Sequence, residues 1–159
     1  MVTQGVREYL FDGLEATPVV LRRLLHDLKS EDPQWDTVHA ANRFTLREMV
    51  AHVADWEAIF RQRIERTLNE DHPFLPSVDE GQLCLDRSYA TQDSHGNLGR
   101  FSESRANLVP FLRSLPVDSW ERRAEREFVG DTSLNDLIAI MLGHDAYHLR
   151  QAAEYVGQP

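Results

Sequence analysis

Residues Ser133 to Val156, SLNDLIAIMLGHDAYHLRQAAEYV, decide how the rest of this 159-residue chain is read. Ser133, with Asp136 three places on, has the arrangement of a capping box, which opens a helix. Leu134, Leu137, Ile138, Met141, Leu142, Leu149, Ala152 and Val156 recur at helical spacing, and no proline interrupts them. His144 and His148 sit inside that stripe. At about 100° per residue, the two lie about 40° apart on one face, one turn above the other. With His144 at zero, Leu137 falls at about 20°, Met141 at about 60° and Ala152 at about 80°. Two imidazoles therefore point where the core should be, and buried polar groups need partners. Either each is a satisfied core histidine, or the pair shares a cation.

Working back along the chain, Phe44-Thr45-Leu46-Arg47-Glu48-Met49 is the clearest local signal. Thr45 and Glu48 form a capping box, and Phe44 with Met49 matches the flanking hydrophobic staple. The helix that follows turns Met49, Val53, Trp56, Phe60 and Ile64 inward. His52 shares their face, about 60° from Met49 and about 40° from Trp56. From Gln4 to Leu28 the apolar residues again follow a helical period, interrupted at Thr17-Pro18. This reads as one broken helical unit ending near Ser30-Pro33, with Trp35 folding back from the polar loop that follows. Between Asn69 and about His95 the pattern lapses at His72-Pro73, Leu75-Pro76, Gly81 and Gly96, with room for a short helix over 80–89. A third long helix runs roughly from Asn97 to Leu115, with Leu98, Phe101, Leu108 and Leu112 inward, Arg105 on the same stripe, and a kink at Pro110. Residues 116–132 read as a second connection.

The fold expected is all-α: a four-helix bundle forming a single domain over residues 1–159. The long crossover between helices 2 and 3 allows those helices to run parallel, where a short loop would force them antiparallel. Twenty-six acidic against 17 basic residues give a formal charge of −9. That excludes a phosphate backbone as the natural partner, because nucleic-acid binding requires a basic surface. No apolar run is long enough to span a bilayer, and the N-terminus has no basic-then-apolar signal, so a cytoplasmic protein is expected. The lone Cys84 rules out an intrachain disulfide and fits a reducing compartment. It lies in the crossover with no histidine at a telling interval, and is read as an ordinary thiol.

Three inward histidines have a chemical reading. Neutral imidazole suits zinc, nickel, iron or copper, and three protein ligands leave positions open for water or substrate. The other histidines, His26, His39, His72 and His95, lack ligand spacing. Asp145, about 100° from His144, orients a ligand or acts on substrate, or else is a surface carboxylate. Arg105 either snorkels to water or meets an anionic substrate. Gln151 donates to a ligand or faces solvent. Asp55 and Glu57 are read as solvated charges, and Trp56 and Tyr147 as packed or pocket-lining rings.

The capped helix TLREMVAHVADWE, with GHDAYHLRQ some ninety positions later, resembles the DinB-like (YfiT-like) superfamily. The likeness extends to the TP interruption of helix 1, the long crossover, Arg105, and the Gly130…Thr132-Ser133-Leu134 entry to the last helix. It implies an up-down-down-up bundle, often dimeric, holding a divalent metal ion on His52, His144 and His148. It also implies thiol-dependent chemistry. The expectation is a metal-dependent transferase that uses a low-molecular-weight thiol on a small-molecule substrate, with zinc, nickel, iron or manganese as the ion. Asp145 and Arg105 are its candidate catalytic residues, and a homodimer its expected assembly. The alternative is a non-enzymatic, stress-associated bundle whose histidines hold a structural or sensed ion.

Overall fold

The computed structural model describes residues 2–157; Met1, Gln158 and Pro159, included in the single-domain reading, lie outside the described residues. Four long helices, α1 (Gln4–Leu24), α2 (Leu46–Asn69), α4 (Ser94–Arg113) and α5 (Leu134–Val156), form the bundle, and the short α3 (Glu80–Asp86) lies in the crossover. Both expected capping boxes are present. Thr45 accepts from the Glu48 backbone N–H while Glu48 accepts from that of Thr45, and Ser133 and Asp136 do the same at α5.

Side-chain contacts fix the directions. Arg47 at the start of α2 reaches Gln92 and Ser94 at the start of α4, and farther along Arg105 reaches Glu57, so α2 and α4 run parallel. Phe11 near the start of α1 packs on Trp120, whose carbonyl accepts from Asn135 at the start of α5, so α1 and α5 run parallel. Arg113, at the end of α4, pairs with Glu8, Asp12 and Glu15 of α1, which makes those two antiparallel. The order is up-down-down-up, as the resemblance implied. One apolar cluster, including Phe11, Phe60, Leu108 and Met141, fills the end near Trp120. A second, including Leu21, Trp35, Met49, Phe101 and Tyr155, fills the other.

Three expectations need correction. Pro18 does not break α1, which runs unbroken from Gln4 and ends at Leu24, earlier than expected. A proline leaves the carbonyl four residues back without its helical donor. Here that carbonyl is Leu14 O, and it accepts from Arg105 Nη1 at 2.9 Å. The Thr17 hydroxyl donates to Gly13 O one position earlier. The third long helix starts at Ser94, capped by Asp93, and not at Asn97. Finally, the two connections carry a small sheet: β1 (Phe74–Leu75) pairs in parallel with β2 (Arg123–Arg126), which pairs antiparallel with β3 (Gly130–Ser133). RAER and GDTS are too short and too polar to show a period of two.

Candidate metal centre

The antiparallel crossing of α2 and α5 brings His52, His144 and His148 together. One ring nitrogen from each lies within 4.8 Å of the others, and Nε2 of His52 is 2.9 Å from Nε2 of His144. His52 is fully buried and His148 is 5% exposed, while His144 is partly open to solvent. Rings close the inner side, where Phe44 and Trp56 pack on His52 and Trp56 and Phe60 on His144, while the exposed Tyr147 stands edge-on to His148.

Burial is the largest influence on the protonation of two of the rings. Burial first, and then the neighbouring imidazoles, push His52 down to about 2 and His148 to about 3. Both rings are therefore neutral near pH 7, which is the ligating form. The tautomer of His148 follows from its neighbour. Gln151 Nε2 donates to Phe44 O and to the Tyr155 hydroxyl, so Oε1 is the atom facing His148 Nδ1 at 3.0 Å. Nδ1 must then carry the proton, which leaves the Nε2 lone pair free. This is the orienting hydrogen bond that ligating histidines ordinarily make. Of the two alternatives for Gln151, it turns toward His148 and not to solvent, as the acceptor rather than the donor. His52 Nδ1 has no hydrogen-bond partner, and its ring is held by Phe44 and Trp56 instead.

Beneath the cluster lies a buried ion triad. Arg105, 1% exposed, donates to Glu57 through Nε and Nη2, to Asp145 through Nη1 and Nη2, and to Leu14 O through Nη1. These five bonds match the five N–H groups of a guanidinium. Burial works against the charge of Arg105, but the hydrogen bonds it donates to both carboxylates outweigh it and raise its pKa. Burial also opposes ionisation of Asp145, and the neighbouring His144 with the hydrogen bonds donated by Arg105 reverses this, holding it below the usual carboxylate range. Arg105 thus neither snorkels nor has a donor left for an anionic substrate, because two carboxylates and a carbonyl occupy it. Asp145 is no surface carboxylate, and both its oxygens are committed. Its Oδ1 lies 4.0 Å from His144 Nδ1, an electrostatic contact longer than a hydrogen bond.

Glu57 and Asp55, read as solvated, are buried. Asp55 accepts from Tyr89 and pairs with Arg100. A buried arginine on an apolar stripe was the signal that could have found Glu57, since such a charge demands a counter-charge. Cys84 is buried against Glu48, and burial raises its thiol to about 11, so it is no nucleophile.

A cleft of about 190 Å³ reaches the cluster at His148, lined also by Arg43, Phe44, Glu80, Tyr147 and Gln151. A larger groove of about 450 Å³ runs between α2 and α4, but none of the three histidines lines it. No helix among the described residues is long and apolar enough to cross a membrane.

An up-down-down-up bundle with three imidazoles converging at the α2–α5 crossing defines a class of protein. The model of the DinB superfamily matches residues 13–152, and the chain belongs to that family. Among its relatives is "Putative metal-dependent hydrolase YfiT" of Bacillus subtilis (strain 168), 23% identical over 142 residues, covering 89% of this chain and 79% of the relative. An Oceanobacillus iheyensis protein with the same metal-dependent hydrolase designation is 24% identical over 157 residues, covering 91% and 90%. The solved structure of YfiT superposes with a TM-score of 0.89 at 21% identity, covering 98% of this chain and 88% of that one. That structure is described as a probable metal-dependent hydrolase with an unusual four-helix bundle topology.

Proposed function

We propose that His52, His144 and His148 hold a divalent metal ion, and that the protein is an enzyme activating a small nucleophile beside it. The observation that carries this is the convergence of three imidazoles within 4.8 Å, two of them buried and kept neutral. The donor set fits. Metal–nitrogen bonds of about 2.0–2.1 Å in a tetrahedral centre place neighbouring nitrogens about 3.4 Å apart. The observed span, from 2.9 Å to within 4.8 Å, brackets that separation. All-imidazole ligation suits zinc, nickel, iron or copper. When bound, such an ion supplies a Lewis acid that lowers the pKa of a coordinated water or thiol.

The chain's own residues do the rest. Gln151 fixes the ring of His148, Phe44, Trp56 and Phe60 keep water from the inner side, and the cleft past Tyr147 and Glu80 admits a small molecule. The leading reaction is transfer of a low-molecular-weight thiol to an electrophile. Its support, beyond the family resemblance, is that both buried carboxylates near the cluster are tied to Arg105 and free to serve neither as base nor as acid. A thiolate attacks without a general base. Hydrolysis is the second reading, favoured by the names of the relatives. The leading reading also takes the protein as a cytoplasmic homodimer, which sedimentation velocity tests.

The deciding experiment incubates zinc-loaded protein with an aryl halide and a panel of small thiols, and separately with activated esters and no thiol. Metal-dependent loss of thiol supports transfer, and metal-dependent ester cleavage without thiol supports hydrolysis. Bound metal with neither activity would leave the non-enzymatic alternative.

A further inference from the structure

Arg63 is a buried cation on the His52 face of α2. Eleven residues on a helix amount to about 20° of rotation and about 16 Å of rise, so the two project from one stripe. Arg63 is 5% exposed; its Nη2 donates to Pro76 O at 3.0 Å, and its Nη1 has no partner. No carboxylate pairs with it among the described residues. The contrast is with Arg105, whose donors are all used. A buried guanidinium without an anion is costly, and such groups persist where something else compensates them.

Its surroundings point the same way. The guanidinium lies 5.2 Å from the centre of the Trp56 ring, and that ring lies 5.4 Å from His52 and 5.3 Å from His144. Trp56 Nε1 is also buried and lacks an acceptor. Arg126, half-buried at the end of β2, makes no ion pair among the described residues. Burial first, and then the charge of Arg126, lower Arg63 to about 10, with Glu80 acting in the opposite sense. Glu80 is exposed and lines the cleft at His148, so the crossover that supplies Pro76 to Arg63 also borders that cleft.

We propose that Arg63, Arg126 and the Trp56 indole N–H form a binding subsite for an oxyanion, a carboxylate or a phosphate, separate from the cleft at His148. It places anion recognition on Arg63, one stripe along α2 from the cluster, and not on the saturated Arg105.

The test titrates acetate and inorganic phosphate into metal-free and zinc-loaded protein, followed by tryptophan fluorescence and calorimetry. Saturable binding is expected in both forms, weakened at least about tenfold by Arg63→Gln and, independently, by the more exposed Arg126→Gln. Phosphate should raise the Tm of the wild type and not that of Arg63→Met. Without anion, Arg63→Met should melt no lower than wild type, because it removes an unpaired buried charge. Wild-type protein that binds neither anion, or binds equally well after Arg63→Gln, overturns the subsite. So does an Arg63→Met protein of lowered Tm beside a wild type indifferent to phosphate, the mark of a guanidinium satisfied by water and Pro76. The two readings fail separately. Anion binding retained by metal-free His148→Ala supports the subsite whatever becomes of the metal, and stoichiometric metal without anion binding overturns the subsite alone.

Discussion

Arg105 closes three gaps at once: the carbonyl that Pro18 strips of its donor, the charge of Glu57 and the charge of Asp145. Removing one member of a buried ion network leaves uncompensated charge and costs about 3–5 kcal/mol. Arg105→Met, which keeps the bulk but leaves two buried carboxylates, should lose at least about that much in urea denaturation. Gln151 acts on a different property. Gln151→Leu removes the acceptor that holds the His148 Nδ1 proton, and zinc affinity in a competition titration should fall about 10–100-fold. Both residues were visible in the sequence as polar groups near an apolar stripe, but their roles were not. Glu57 lies about 140° around α2 from His52, on what a lone amphipathic helix would give to solvent. It is the packing of α4 on that side that buries it.

At the scale of elements, local chemistry was legible and long-range pairing was not. Both capping boxes were read residue for residue because their signal lies within four positions. Thr45→Ala should cost about 1 kcal/mol in stability. It should leave the metal stoichiometry unchanged, since it frays the first turn of α2 and touches no ligand. The continuity of α1 through Pro18 could not be read locally, because the compensating donor comes from a residue 91 positions away. The β2–β3 hairpin was missed for a related reason. Its four-residue strands are too polar to alternate visibly, and β1, the strand that completes the sheet, pairs with β2 from about fifty positions away.

At the scale of the whole molecule, the parallel pairs α1/α5 and α2/α4 require the long crossover, and the antiparallel α2–α5 contact places the histidines. The lapse of periodicity after Asn69 allowed α2 and α4 to run parallel, and the i,i+4 spacing of His144 and His148 put that pair on one inward face; the full helix order and the three-histidine set were implied by the family resemblance. Burial of neutral histidine sets a pH dependence for the metal-free protein. The folded values of about 2 and 3 lie below the ordinary value of 6.5, so the unfolded chain binds more protons between them. The stability these rings contribute is complete above pH 6.5 and is lost as pH falls, by roughly 1.4 kcal/mol per pH unit for each histidine. Denaturation midpoints of chelator-treated protein from pH 7.5 down to about pH 4 check this, and a flat profile would contradict it. Bound metal should raise Tm without being required for folding, because the two apolar clusters are complete without it.

The central claim is the three-histidine metal centre, and elemental analysis tests it most directly. Untagged protein purified without a metal column, and its His148→Ala variant, are analysed for zinc, nickel, iron and manganese. We expect near-stoichiometric metal in the wild type and its loss in the variant, with the helical content of both unchanged. A wild-type protein that carries no metal and takes up none on titration would contradict the claim, and leave three histidines packed in the core of a helical bundle.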